Sequence, residues 1–408
     1  MKGILFVDDE PMILQGLQRM LQPQSKLWDM SFAASGADAL ALLATKPFDA
    51  IVTDMRMPGM EGARLLELVR ERYPAIIRIV LSGYIETEAA MRAVPVAHQF
   101  LAKPCDPGKL RDALERCCGF AGLLPDAALR RVVGAIGKLP ALPRTTALLV
   151  QTLQQPEAPL DEIGRIVERD VGITAKVLQL VNSAFFCLPN RITSVRMAVS
   201  YLGLDTLKHL VLSVEMFRSL QPRQPVPGFS LEQLQKHSHF AAGIAARLPA
   251  SPPVVSAGVI AAVLHDAGKL VLAASLPREF QLALQASKAQ QRPLHVVEEE
   301  QMGTSHAEIG AYLLGLWGLP NTIVDAVCHH HHPRYAEGGK GLDVAAITHL
   351  SDGLACEVAR GEAEDAPAGG VLDLEFLAQL GLDAKLPAWR TMAQQVHEEL
   401  RGEQSCRS

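Results

Sequence analysis

The chain has no stretch of about 18 or more uncharged apolar residues, so nothing in it reads as a membrane span. A signal peptide is also missing, because Lys2 and Gly3 lead into only Ile4–Val7 before Asp8-Asp9-Glu10 ends the apolar run. A cytoplasmic location is the expectation. Aromatic residues make up only 5% while Leu and Ala are abundant, which favours helices over a β-sandwich. The seven cysteines contain no CxxC pair and no regular spacing, so reduced, packed thiols are expected. A basic stripe is lacking as well: 39 Lys+Arg against 44 Asp+Glu leave a net charge of −5 and argue against a nucleic-acid surface.

With 49% hydrophobic residues, the chain has enough apolar material to bury cores, and 408 residues suggest several domains. Short apolar runs at Ile4–Val7, Met30–Ala34, Ala50–Thr53, Ile76–Leu81 and Phe100–Ala102 alternate with helix-like stretches such as Met12–Leu21 and Gly62–Arg72. Strands apolar on both faces and separated by helices predict a doubly wound α/β domain with a parallel sheet. Beyond Cys118 the pattern changes. A linking helix is expected over Pro125–Ile136, and Leu139-Pro140-Ala141-Leu142-Pro143 punctuates the chain. Ile163 and Val167, then Ile173, Val177 and Val181, keep helical spacing, and helical segments resume from Leu231. The reading is therefore multidomain: α/β over 1–118, a helical linker over 119–138, an all-α domain over 139–334 with lobes 139–220 and 229–334, and a helical extension over 335–408. That extension is a candidate for completing the second lobe, with 371–408 unassigned.

Asp8-Asp9 follows the first strand, Asp54 the third, Ser82 the fourth and Lys103 the fifth. Strand ends on one edge of an open parallel sheet share a crevice, so these residues are expected to converge. Clustered carboxylates repel one another, and a hard cation such as Mg²⁺ removes that cost while neutralising an incoming phosphoryl group. Asp54, central and followed by the open loop Met55-Arg56-Met57-Pro58-Gly59, is the candidate nucleophile. Ser82 and Lys103 supply a donor and a point charge for phosphoryl oxygens.

Val7-Asp8-Asp9-Glu10, Thr53-Asp54-Met55-Arg56-Met57-Pro58-Gly59, Leu81-Ser82-Gly83-Tyr84 and Phe100-Leu101-Ala102-Lys103-Pro104 resemble the receiver domain of two-component response regulators. The resemblance implies a flavodoxin-like fold and a phosphoacceptor role for Asp54. It also implies Mg²⁺ binding by Asp8, Asp9 and Asp54, phosphoryl contacts from Ser82 and Lys103, and a switch aromatic at Phe100.

A second resemblance, over about Leu139–Pro333, is to the HDOD domain, a relative of HD-type phosphohydrolases. It rests on Ile166-Val167-Glu168-Arg169-Asp170, Lys176–Ala184, Leu264-His265-Asp266-Ala267-Gly268-Lys269-Leu270, His306–Ala311, Trp317-Gly318-Leu319-Pro320 and the His329–His332 run. The implied output is regulatory contact with another protein, without hydrolysis. Yet His237, His265, Asp266, His306, His330, His331 and Asp352 supply every residue type of an HD metal site in the family's order. Such donors suit Fe, Mn, Zn or Ni, and Lys269, one turn after His265, could reach a phosphate. The chain departs from the cyclic-di-GMP phosphodiesterases, because Arg334-Tyr335-Ala336 follows Pro333 and no Gly-Tyr-Pro occurs.

The leading expectation is a response regulator phosphorylated on Asp54 by a cognate histidine kinase, with an HDOD output that binds a downstream signalling protein. The alternative is a receiver-gated, metal-dependent phosphohydrolase of cyclic or linear nucleotides. Neither reading involves direct nucleic-acid or membrane binding, and the sequence leaves open whether the chain pairs with a second copy.

Overall fold

The computed structural model describes residues 1–82, 96–103, 105–120, 123–124, 126–136, 149, 152, 159–182, 192–201, 225–333, 341–362 and 370–405. The loop after Ser82, the Leu139–Pro143 segment, Ser183-Ala184 and the residues following Pro333 lie outside these. The chain divides into two compact units: residues 1–138 with 179–191 and 312–319, and the remainder.

In the first unit five strands, β1 (Lys2–Val7), β2 (Trp28–Ala33), β3 (Ala50–Asp54), β4 (Ile77–Ser82) and β5 (Gln99–Ala102), form one parallel sheet in the order β2-β1-β3-β4-β5. Every residue of β3 is buried, as are Gly3 to Val7 of β1, which is why these runs do not alternate. Helices α1 (Pro11–Met20), α2 (Gly36–Thr45), α3 (Gly62–Arg72) and α4 (Pro107–Phe120) are the described crossovers and C-terminal cover. Parallel connection puts the C-terminal ends of all five strands on one edge, where the order reverses between β1 and β3.

The opposite edge carries a feature absent from the sequence reading. Arg78, the second residue of β4, is 1% exposed. Its Nε donates to Val96 O (2.6 Å), Nη1 to Pro74 O (3.2 Å) and Ile76 O (3.1 Å), and Nη2 to Gly134 O (2.6 Å). Gly134 ends helix α5 (Ala127–Gly134), the helix expected as a linker and part of the first compact unit, so the guanidinium caps the negative end of its dipole. His98 joins this network: its Nδ1 accepts from Arg78 N (3.0 Å), leaving Nε2 to donate to Gly134 O (3.1 Å). Burial pulls the Arg78 pKa down to about 9, which still leaves it charged at neutral pH.

Among the described residues none beyond Ala102 forms a strand. Helix α6 (Leu160–Glu168) buries Ile163, Ile166 and Val167, and α7 (Val171–Val181) follows it. The helices that matter most for the site are α8 (Leu231–Ala245), α9 (Pro252–Leu264) and α10 (Ala267–Ser275), then α11 (Pro277–Gln290), α12 (Leu294–Met302), α13 (His306–Leu316), α14 (Asn321–Cys328) and α15 (Val344–Glu362). Helix α15 packs against α8, α9 and α14, and α16 (Leu374–Gln379) and α17 (Leu386–Ser405) follow it. Pro252–Ser275 is long and apolar enough to cross a membrane by length and composition, but 72% of its most apolar window is buried in the protein. Asp266 and Lys269 interrupt it, as expected of a core helix pair.

Candidate functional sites

At the C-terminal edge of the sheet, Asp8 ends the β1 turn with 1% exposure and Asp54 ends β3 with 7%. Lys103, just past β5, donates from Nζ to Asp8 Oδ2 (2.7 Å) and pairs with Asp54 Oδ1. Asp54 Oδ2 accepts from Arg56 N (2.7 Å), so the loop after β3 holds the carboxylate in place through its backbone. Burial raises the Asp54 pKa while the Lys103 ammonium opposes the rise. Burial by itself would lower Lys103, but hydrogen bonds to Asp54 and Asp8 raise it instead. Asp9 is half-buried beside Asp8. Ser82 pairs in register with Ala102 at the end of β4, its side chain lying outside the described residues, and Phe100 is 2% exposed on β5. Two buried carboxylates, Asp8 and Asp54, meet one ammonium, with Asp9 next in the chain, an oxygen-rich donor set that fits a hard divalent cation such as Mg²⁺.

The second site is built from six helices and the breaks between them. His237 comes from α8, and His265-Asp266 occupies the break between α9 and α10. His306 begins α13, His330 and His331 follow the C-terminal cap of α14, and Asp352 lies in the middle of α15. The closeness of α10 and α13 depends on glycine: a Cβ on Gly268 would collide with the His306 carbonyl oxygen, and a Cβ on Gly310 would meet the Gly268 backbone.

All seven side chains converge. His237 Nε2 lies 3.2 Å from His265 Nε2 and 3.0 Å from Asp352 Oδ1. Asp266 turns one oxygen toward His306 Nε2 (3.3 Å) and the other toward His265 Nε2 (3.5 Å), the disposition of a bridging carboxylate. His331 Nε2 is 3.0 Å from His306 Nε2. His265 Nδ1 donates to Ala262 O and His330 Nδ1 to Val327 O, each at 2.7 Å, so both rings turn Nε2 inward. The buried His330 Nε2 has no hydrogen-bond partner among the described residues. Three overlapping donor triads result: His306, His330 and His331; His237, His265 and Asp352; His265, Asp266 and His330. Facing imidazole nitrogens and an unpartnered buried one fit a transition metal, whose ligand bonds would satisfy them.

The charges follow from burial and neighbours. Burial opposes ionisation of Asp266, but Lys269, His265 and His306 hold it well below the usual carboxylate range, and Lys269 Nζ sits 2.7 Å from its Oδ2. Burial likewise opposes ionisation of Asp352, which His237 and His265 keep ionised. Burial and adjacent imidazoles drive His330 and His331 far down, into the neutral form a ligand needs. His306 rises to about 9 against its burial because Glu298 lies beside it.

Of the four-histidine run, His329 caps α14 and His332 is exposed, so His330 and His331 alone enter the triads. The sequence reading missed three neighbours. His349 donates from Nδ1 to His330 O (2.7 Å) and accepts at Nε2 from Asp373 N (2.8 Å), so it ties rather than ligates. His295 and Glu298, three apart on α12, are buried at 7% and 0% exposure. Their i, i+3 spacing was the only available signal. Gly370 closes one side: a Cβ there would strike the Asp352 carboxylate, and Arg360 Nη2 donates to Gly370 O at 3.0 Å.

Residues 4–115 match the family model of the response regulator receiver domain and residues 139–333 that of the HDOD domain. An uncharacterised protein of Treponema pallidum is 28% identical over 206 residues, half of this chain and 40% of that one. The hydrogenase transcriptional regulatory protein HoxA of Cupriavidus necator is 38% identical over 125 residues, 30% of this chain and 25% of HoxA. The chain thus spans well under half the length of these curated relatives. The crystal structure of the MmoQ response regulator from Methylococcus capsulatus is 23% identical, with a TM-score of 0.47 over 60% of this chain and 97% of that one. The protein is a signalling response regulator in which a receiver domain is followed by an HDOD domain.

Proposed function

We propose that Asp54 accepts a phosphoryl group from a histidine kinase or a small phosphodonor, and that the HDOD domain passes the signal on by contact with a downstream protein in the cytoplasm. The observation that carries this reading is the Lys103 ammonium held between Asp8 and Asp54. Mg²⁺ held by Asp8, Asp9 and Asp54 would neutralise charge on the incoming phosphoryl group. An ionised Asp54 oxygen attacks phosphorus, the phosphodonor's leaving group departs, and an acyl phosphate forms. Lys103 then offers its charge to a phosphoryl oxygen, and Ser82 its hydroxyl. Asp54→Asn should abolish labelling by a phosphodonor with the fold intact; labelling at the wild-type level would sink the assignment.

The new dianion draws on Ser82 and Lys103 at the ends of β4 and β5, a local charge change able to bias a two-state surface. Arg78 near the start of β4 and His98 just before β5 grip the linking helix. Hydrogen exchange with and without a phosphoryl mimic should therefore differ near the ends of β4 and β5 and in α5. Identical protection in both states would remove this route.

The convergence of seven His and Asp side chains favours a further element, a transition-metal centre in the helical unit held by His237, His265, Asp266, His306, His330, His331 and Asp352. The same geometry supports the second reading, a metal-dependent phosphohydrolase, with Lys269 as the phosphate contact. Metal content of wild type against the His265→Ala/Asp266→Ala double variant tests the centre. Turnover of cyclic and linear dinucleotides at ordinary enzyme rates would replace the protein-contact output with the catalytic one.

A further inference from the structure

Helix α12 reads as a solvated segment, with Glu298, Glu299 and Glu300 in a row, yet the first differs from the other two in setting. Glu299 and Glu300 are exposed, whereas Glu298 has no exposed surface. Its Oε2 accepts from both His306 N (2.8 Å) and His306 Nδ1 (2.6 Å), and its Oε1 is buried without a hydrogen-bond partner among the described residues. Burying a carboxylate with one oxygen unsatisfied is costly, so its placement asks for a reason.

Capping of α13 supplies only part of that reason, because Glu298 satisfies the N–H of His306 at the start of the helix while other groups serve the rest of its first turn. Glu308 accepts from Ser305 N (3.1 Å) and from the Thr304 hydroxyl (2.7 Å), and so serves the start of the helix. The distinguishing feature is the partner of the ring. His265 and His330 each give their Nδ1 proton to a neutral backbone carbonyl, and of the three only His306 gives it to a carboxylate. That leaves His306 Nε2 aimed at Asp266 Oδ1 and His331 Nε2. One turn earlier on α12, the His295 ring stacks on His331 with centroids 4.0 Å apart and planes 17° from parallel. A single helix thus backs both imidazoles on this side of the cluster.

We propose that Glu298 is the positioning residue for the His306 side of the metal centre, fixing the ring through Nδ1 and strengthening Nε2 as a ligand, with His295 as the backing for His331. This rests on the reading of the His/Asp cluster as a metal site. A carboxylate behind a ligating imidazole both locks its orientation and raises its basicity, and loss of such a partner typically costs about 10–100-fold in metal affinity. A structural role alone predicts lower stability with no change in the coordination of a bound metal.

The test loads the full chain with Co²⁺ alone, reading affinity and the visible ligand-field spectrum in wild type, Glu298→Gln and Glu298→Ala. Glutamine keeps an acceptor for Nδ1 but removes the charge, so its affinity should fall about tenfold with a shifted spectrum, and alanine should fall toward the hundredfold end. The metal-free Glu298→Gln chain loses the charge beside His306 and should melt lower than wild type, yet stay folded at the temperature of the cobalt titration. Wild-type affinity and spectrum in Glu298→Gln overturn the proposal, whether or not Glu298→Ala folds. Failure of wild type itself to bind cobalt removes the metal reading and this proposal with it, an outcome distinct from a bound metal indifferent to Glu298.

Discussion

Arg78 donates from Nη2 to the carbonyl of Gly134 at 2.6 Å, fastening the start of β4 to the last residue of the linking helix. Among the described residues this guanidinium meets no carboxylate; it donates to the backbone carbonyls of Val96, Pro74, Ile76 and Gly134. Arg78→Met removes the cation and leaves several buried carbonyls unpaired, each worth about 1–3 kcal/mol. The variant should lose roughly 3 kcal/mol or more in denaturant unfolding of residues 1–138 within the full chain. A loss below about 1 kcal/mol would mean that water or relaxation satisfies those carbonyls.

Asp54 is a nucleophile only when ionised, and burial raises its pKa above the ordinary 3.8. The rate of acyl phosphate formation should therefore fall on acidification at a higher pH than for an exposed aspartate. Lys103→Met removes the charge that opposes the rise, so its acid limb should move further up, together with a lower plateau. Coincident acid limbs in the two proteins would show that Lys103 does not set the ionisation of Asp54.

In the metal-free chain burial would lower His306, but Glu298 outweighs it and holds the pKa at about 9, and His265 is raised as well. A metal must expel these protons, so affinity should rise with pH by about tenfold per unit for each proton displaced and flatten above about 9. The metal-free fold should follow the opposite course. A raised histidine pKa stabilises fully below the unfolded value of 6.5, and the contribution fades as pH rises through about 9. Titration calorimetry in buffers of different ionisation enthalpy reads the proton release, and a count of zero between these limits contradicts the scheme.

Gly268→Ala inserts a methyl group where the His306 carbonyl already stands. Separation of α10 from α13 should cost about 1–3 kcal/mol and pull Asp266 away from His306, so bound metal should fall with it. Gly303→Ala is a poor control because φ is +71° there, whereas Gly119→Ala meets nothing within 4 Å and should leave metal content unchanged. Unchanged metal content in Gly268→Ala would show that the helix contact is dispensable for the site.

The receiver site was legible because its residues sit at strand ends, and a parallel sheet collects strand ends on one edge regardless of their separation along the chain. The seven His and Asp residues were legible through their order, which matches a family pattern even though six helices contribute them. Arg78 was not legible: an arginine between Ile77 and Ile79 looks like one outward position of a strand, and its burial depends on α5 returning to the base of the sheet. Glu298 was hidden for a related reason. Composition marks the triplet of glutamates as solvated, and only the turn of α12 decides which one faces His306.

The family match ends at residue 333, whereas Asp352 lies 19 positions beyond it on α15, with Gly370 pressed against its carboxylate. Excising the output domain at its homology boundaries would therefore discard the closing carboxylate of the His/Asp cluster and the helix that packs against α8 and α9. His237 would lose its 3.0 Å partner in such a fragment. A negative result from a recombinant piece ending near Pro333 would report on the cut rather than on the protein, and a dissection faithful to the chemistry has to carry the chain through at least α16.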